Sequence, residues 1–267
     1  MRCETILIGS GGAAIQTYLL DNFPQIEKNR RRPVVIICPG GGYEFVSDRE
    51  SEPVALRFAA LGFHTCVLRY SVAPAVYPAA LLELSETVGL FRRRAEEWNI
   101  DPRKIFVMGF SAGGHLAASL GVLWDDEALF GEDEAIKHRP DGLVLCYPVI
   151  TSGEFAHRSS FALLTGDETG RSPLWKALSL ERRVTDKTPP CFLWHTQDDP
   201  AVPVENSLLF ASKLRAHGVP FELHVYPSGV HGLSLANEET FSPGRPELIN
   251  PVCGDWPEMA ARWMKRL

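Results

Sequence analysis

The stretch Lys104-Ile-Phe-Val-Met-Gly-Phe-Ser-Ala-Gly-Gly-His115 organises the reading of the whole chain. Its first residues are β-formers, and Ala112 to Leu123 is rich in alanine and leucine, so a strand runs into a helix with Gly109-Phe-Ser-Ala-Gly113 as the turn. A strand-to-helix turn this tight forces Ser111 into a strained backbone conformation. Small residues two before and two after it avoid clashes with the neighbouring strand and helix. The hydroxyl is then exposed at a helix N-terminus, where the dipole and free N–H groups favour developing negative charge. The five-residue pattern alone says little: with glycine and serine at about 7% each, roughly 0.1 copies arise by chance in a chain of this size. The strand before it and the helix after it make Ser111 the candidate nucleophile.

Outward from this turn, short apolar runs alternate with longer helical patterns. The expected strands are Thr5–Ile8, Ile15–Leu20, Val34–Cys38, Thr65–Tyr70, Ile105–Met108, Leu143–Tyr147, Cys191–His195 and Glu222–Tyr226. Helical spacing marks Pro53–Leu61, Ala79–Trp98, Ala112–Leu123, Val204–His217 and Trp256–Leu267. Strand–helix alternation of this kind predicts an α/β fold, a mostly parallel central sheet covered by helices on both faces. Only Gly-Ser-Gly-Gly and two alanines separate the first two strands, which reads as an antiparallel N-terminal hairpin. Residues 1–267 are expected to form one domain with a small insertion at about 151–190, too long for a plain connection and carrying a short helix or two over the sheet edge.

Two glycine-rich segments follow strands and read differently. Val34–Cys38 ends in Pro39-Gly-Gly-Gly-Tyr43, where glycines let the backbone approach a ligand closely and turn N–H groups inward. Acyl transfer needs such donors where the carbonyl oxygen becomes negative, and the Ala112 N–H supplies another. No Lys-Ser/Thr follows, as a phosphate loop would require. Gly9-x-Gly11-x-x-Ala14 superficially matches a dinucleotide fingerprint, but Ile15–Leu20 after it reads as a strand and not as the required helix.

Of the eight histidines, His231 lies in Ser228-Gly-Val-His-Gly232, a glycine-flanked loop after the last strand, where it can reach the serine as its base. His195, ending a strand near the acid candidates, is its rival; His115 is expected to pack against the sheet, and His157 has no context. The strand Cys191–His195 runs into Thr196-Gln-Asp-Asp-Pro-Ala-Val-Pro203, offering Asp198 and Asp199 as the acid that orients the imidazole. Neighbouring side chains on a turn point differently, so one is expected to face the histidine and the other solvent, and spacing does not choose between them. The order serine, aspartate, histidine, each at a strand end, makes three independent signals agree.

The composition, 45% hydrophobic and 22% charged with a net charge of −6, is that of an ordinary soluble enzyme and gives no hint of nucleic acid as a partner. Four of the six cysteines fall inside apolar runs, so reduced thiols and a cytoplasmic setting are expected. The apolar stretch at the N-terminus is too short for a signal peptide, and no segment approaches the roughly 18 apolar residues of a membrane span. With no H-E-x-x-H or comparable cluster, neither a metal nor another cofactor is expected.

At this point the chain resembles the hormone-sensitive-lipase-like branch of the α/β-hydrolase superfamily, and within it bacterial acetylxylan and other carbohydrate acetyl esterases. The likeness rests on Pro39–Tyr43, Leu68-Arg-Tyr-Ser-Val-Ala-Pro74, Ile100-Asp-Pro-Arg-Lys-Ile105, Gly109–His115, Asp199-Pro-Ala-Val-Pro203 and Gly229-Val-His-Gly232. The resemblance implies Asp199 as the acid and Gly41, Gly42 and Ala112 as the oxyanion hole. Pro39 stands where the broader branch has histidine, as in the carbohydrate-esterase subgroup. The helical cap of the lipase-like members is missing, which implies an open cleft able to admit a bulky alcohol. Among the aromatics near strand ends or the insertion (Tyr43, Phe45, Tyr70, Trp124, Trp175, Trp194), Tyr43 is the substrate-binding candidate. The expected function is a metal-independent serine hydrolase of short-chain acyl esters, acetyl foremost, on a small-molecule or carbohydrate alcohol. Amide hydrolysis of the peptidase or arylformamidase type and a non-catalytic binding role stay open as alternatives. A dehalogenase or epoxide hydrolase would need an aspartate where Ser111 stands.

Overall fold

The computed structural model describes residues 1–131 and 138–267. Successive residues of a strand point to opposite faces of a sheet, so a continuous apolar run such as Val34-Val-Ile-Ile-Cys38 must be covered on both sides. Among the described residues eight strands form one mixed sheet: β1 (Arg2–Ile8), β2 (Ala13–Leu19), β3 (Arg32–Cys38), β4 (His64–Arg69), β5 (Ile100–Phe110), β6 (Gly142–Cys146), β7 (Cys191–Thr196) and β8 (Phe221–Tyr226). Their order across the sheet is β1-β2-β4-β3-β5-β6-β7-β8. The β1–β2 and β2–β4 pairs are antiparallel and the rest parallel. The turn of the β1–β2 hairpin holds Gly9 at φ 61° and Gly12 at φ 88°, so the apparent dinucleotide fingerprint is a hairpin turn.

Helices α1 (Glu52–Ala60), α2 (Ala79–Arg93), α3 (Ala112–Leu123), α4 (Glu127–Phe130), α5 (Arg158–Thr165), α6 (Pro173–Ala177), α7 (Glu205–Ala216) and α8 (Trp256–Arg266) accompany the sheet, with short 3-10 turns between some elements. Val54 and Phe58 of α1 and Trp256 and Trp263 of α8 pack on Val35, Ile37, Phe106 and Met108. On the opposite face Leu84 of α2, Leu116 and Leu120 of α3 and Phe210 of α7 pack on Val34, Ile36, Ile105 and Val107. Helix α3 is buried along its whole length, and a Cβ on its Gly121 would stand 2.4 Å from Leu143 Cδ1. The helix that carries Ser111 is thereby clamped against β5 and β6.

The predicted helix over Ala79–Trp98 ends at Arg93, and β5 starts at Ile100 instead of Ile105. Residues 94–99 form a turn with Asn99 at φ 55° and the Ile100 N–H donating to Ala95 O. Trp98 is buried from that turn, with the Arg2 and Arg94 guanidinium groups 5.8 and 5.1 Å from its ring. An apolar residue at helical spacing reaches the core equally well from a helix or a turn, so periodicity overran the end.

Two buried histidines lock local structure as neutral rings. His115 Nε2 donates to Leu178 O at 3.0 Å, which leaves Nδ1 to accept from Tyr43 Oη at 2.9 Å. His64 Nδ1 accepts from the Leu20 N–H at 3.0 Å. Burial pushes each ring down from 6.5 to about 4. A folded-state value below the unfolded one means stability present above pH 6.5 and lost as pH falls toward 4. At pH 5 each histidine is expected to remove about 2 kcal/mol relative to pH 7. Urea midpoints measured from pH 7 to 5 check this; midpoints that stay level would contradict neutral burial of these rings.

Candidate active site

Strands β3, β5, β6 and β7 run parallel and end at one edge of the sheet, where ligands of open α/β folds bind. Ser111 occupies the step from β5 to α3 with φ 53° and ψ −118°, a conformation L-residues rarely take. Three backbone hydrogen bonds hold it there: its N–H donates to Cys146 O, and its carbonyl accepts from the His115 and Val149 N–H groups. A Cβ at Gly109 would lie 2.1 Å from Gly113 O, and one at Gly113 would lie 2.1 Å from Cys38 O. The two glycines flanking the serine are therefore demanded by the closeness of strand, turn and helix.

Ser111 Oγ lies 2.8 Å from His231 Nε2, and His231 Nδ1 lies 2.6 Å from Asp199 Oδ2. The carboxylate accepts from Nδ1–H, which leaves Nε2 to accept the serine proton. The Asp199 side chain is wholly buried, while that of His231 is 20% exposed. Asp199 Oδ1 also accepts from the Ala201 and Val202 N–H groups, each at 2.9 Å. Burial works against its charge, but the His195 N–H 3.6 Å away, the hydrogen bond from His231, the charge of His231 and the Val202 N–H outweigh it, holding the carboxyl well below the usual range. Asp198, the other candidate acid, is exposed as expected, yet it is not idle: its Oδ1 accepts from the Gly229 N–H at 2.7 Å, two residues before His231. The structure brings Asp199, and not Asp198, to the imidazole.

The glycine loop folds against the same serine. Gly41, Gly42 and Tyr43 all have positive φ, 126°, 68° and 64°. A Cβ on Gly41 would stand 2.0 Å from Phe45 O, so that turn closes only with glycine. The Gly40 N–H is spent on Glu50 Oε2 at 2.7 Å. The Gly41 and Gly42 N–H groups donate to no backbone or side-chain acceptor among the described residues. Gly41, Gly42, Ser111 and His231 line one cleft of about 320 Å³, and Ala112 is the residue directly after the serine, at the start of α3.

Tyr43 departs from its expected place. It is buried, its hydroxyl is bonded to His115, and its ring meets Tyr70 edge-on, so it does not line the cleft. Its neighbour Phe45, 58% exposed, lines the cleft instead. Tyr70, Trp175 and Trp194 are buried in the core. A glycine loop that reverses direction sends adjacent aromatics opposite ways, which composition does not reveal.

Several cleft residues carried no signal in the sequence. The insertion sends Phe161 and Leu164 of α5 into the core and turns His157, Ser159 and Leu163 to the cleft, forming one of its walls. His157 Nδ1 lies 2.8 Å from Ser160 Oγ, and burial together with the nearby His231 lowers its pKa. Glu50, buried, bridges the Gly40 N–H and the Tyr147 hydroxyl, and that hydroxyl accepts from the Ser234 N–H. Arg49 donates to Gly232 O and Thr240 O, tying the histidine loop to the segment after the glycines. Most of these contacts join residues distant in the chain, among them Tyr147 to Glu50 across 97 positions and Arg49 to Gly232 across 183, and such pairs leave no local pattern to read.

Fold and site define the chain as an α/β-hydrolase of the esterase type. It belongs to the BD-FAE family, whose model matches residues 20–214, a span that holds the glycine loop, Ser111 and Asp199. Endo-1,4-beta-xylanase B of Butyrivibrio fibrisolvens is 42% identical over 217 residues, and an acetylxylan esterase of Xylanibacter ruminicola is 29% identical over 215. Each of these alignments covers 79% of this chain, which spans only 34% and 43% of the two relatives' lengths. Among solved structures, the acetyl ester-xyloside bifunctional hydrolase of Caldicellulosiruptor lactoaceticus is similar at 40% identity and a TM-score of 0.81, covering 97% of this chain and 89% of that one. A carboxylesterase of Lactobacillus plantarum matches at 31% identity and a TM-score of 0.87, covering 100% and 98%. Among the described residues no helix is long and apolar enough to cross a membrane.

Proposed function

We propose that the chain hydrolyses carboxylic esters of short acyl groups, acetyl foremost, through a serine acyl-enzyme. The observation that carries this reading is the unbroken run Ser111 Oγ, His231, Asp199 at 2.8 and 2.6 Å, beside the unspent N–H groups of Gly41 and Gly42. In the reaction His231 Nε2 takes the Ser111 proton as Oγ bonds to the ester carbonyl carbon. The resulting oxyanion is held by the Gly41, Gly42 and Ala112 N–H groups. His231 returns the proton to the departing alcohol, and the C–O bond breaks to leave the acyl group on Ser111. Water then repeats the sequence, giving up a proton to His231 and releasing the carboxylic acid and free serine.

The short acyl chain is supported by packing. Behind the glycine loop, the space between Tyr43, His115, Val149, Ser160, Phe161 and Leu164 is too small for a water molecule. A bulky alcohol is supported by the open cleft on the other side, where exposed Phe45 offers an aromatic wall of the kind on which sugar rings rest. An endo-1,4-beta-xylanase, an acetylxylan esterase and an acetyl ester-xyloside hydrolase among the relatives support an acetylated carbohydrate as the leading substrate class. A cytoplasmic setting is our reading of the cysteines, all six of which are free and five of them buried.

Hydrolysis of p-nitrophenyl esters from acetate to decanoate tests the reading. Turnover is expected to be highest on acetate and to fade with chain length, and inactivity on every ester would overturn it. Phe161→Ala, opening the packed space, is expected to raise the butyrate-to-acetate ratio about ten-fold. The same change removes a buried ring and costs about 3–5 kcal/mol of stability, so the ratio is measured well below the variant's melting temperature. An unchanged ratio in the folded variant would mean that this space does not limit the acyl group.

A further inference from the structure

The rival histidine of the sequence lies against the acid. His195, on β7, and Asp199 both have fully buried side chains, with His195 Nε2 3.6 Å from Asp199 Oδ2. His195 Nε2 is also 2.9 Å from Val202 O, and a carbonyl only accepts, so this nitrogen carries a proton. His195 Nδ1 meets Ser207 Oγ of α7 at 2.8 Å, and in the neutral ring it accepts from that hydroxyl. Val202 is the residue whose N–H donates to Asp199 Oδ1. One ring thus joins β7, the turn from Asp199 to Val202, and α7. It also brings an N–H dipole toward Oδ2, the oxygen that receives the His231 proton donor.

We propose that His195 is a positioning residue: its Nε2–H, bonded to Val202 O, fixes the Asp199–Val202 turn and stands 3.6 Å from the carboxylate oxygen that meets His231, setting both the direction and the charge that Asp199 presents to the base. This rests on the reading of Ser111, His231 and Asp199 as the reacting set. Among the described residues the titratable groups facing Asp199 are His195 from β7, His231 from the loop after β8 and His157 from the insertion. Asp198 beside it is bonded to the Gly229 N–H, and Ser207 from α7 is uncharged. Without the His195 donor, more negative charge rests on Oδ2, His231 holds its proton more tightly, and the carboxylate is freer to turn.

The test compares His195→Leu and His195→Gln, whose amide can still donate to Val202 O, with the parent. On p-nitrophenyl acetate, His195→Leu is expected to lower kcat about ten- to a hundred-fold with little change in KM. The acidic limb of its kcat/KM profile is expected to move to higher pH, and the glutamine variant to recover most of both effects. The low-field proton resonance of the His231–Asp199 hydrogen bond should shift in the leucine variant and return in the glutamine one. A folded His195→Leu with the parent's pH profile and resonance overturns the proposal, even if its kcat has dropped. Should His195→Leu fail to fold, His195→Phe, which keeps a ring of similar size but no donor, carries the same test; a profile and resonance equal to the parent's overturn the proposal equally. A parent inactive on every ester instead defeats the functional reading, and the resonance comparison still decides the role of His195.

Discussion

Ser111→Ala is expected to lower kcat on p-nitrophenyl acetate by about a million-fold, with the protein folded as before. Alanine keeps the Cβ and the three backbone hydrogen bonds that hold residue 111 at φ 53°, so the turn has the same cost with either residue. What disappears is the atom 2.8 Å from His231 Nε2. Residual hydrolysis above the water rate is expected, since the N–H groups of the glycine loop still polarise a bound carbonyl. Steady-state assay with acetate ester, together with mass measurement of an acyl-protein adduct in the parent, checks the role. Turnover within ten-fold of the parent would show that another group attacks the ester.

Replacement of the two adjacent aspartates should give opposite results. In Asp199→Asn the amide oxygen can continue to accept from the Ala201 and Val202 N–H groups, which turns its NH2 toward His231. His231 Nδ1 must then accept, Nε2 carries the proton, and the ring is unable to receive one from Ser111. A loss of about ten thousand-fold in kcat is expected. In Asp198→Asn the new carbonyl oxygen can accept from the Gly229 N–H just as the carboxylate does, so a change below about ten-fold is expected. Equal losses in both would mean that the histidine loop, and not the imidazole tautomer, is what these residues control. Because its surroundings hold Asp199 well below the usual carboxylate range, the aspartate is expected to stay ionised throughout the acidic limb of the activity profile and to contribute no limb of its own there.

Much of the architecture was legible because it is local. All eight strands overlap the apolar runs that predicted them, with the widest differences at the earlier starts of β1 and β5, and the Gly9–Gly12 hairpin follows from two short runs with glycines between. Ser111 was legible because only glycine fits two positions before and after it, a constraint the backbone imposes within five residues. Helix α2 was overrun because apolar spacing does not mark where a chain leaves the helical path, and the left-handed Asn99 left no strong signal.

The sequence by itself determined the strand order along the chain, the turn that exposes the serine, the glycine loop and the loop that carries His231. Each depends on residues within a few positions of one another. Spacing left Asp198 and Asp199 equal and resemblance pointed to Asp199, which the tertiary structure brings to His231. The tertiary structure alone decided that Tyr43 turns into the core while Phe45 faces the cleft, and that His157 of the insertion and Glu50 join the site. It also decided that His195 backs the acid instead of serving as the base. The reason is physical: side-chain direction at a loop depends on the packing of segments distant in sequence. A hydrogen bond such as Tyr147 to Glu50, 97 residues apart, exists only once the sheet has brought both ends to the same edge.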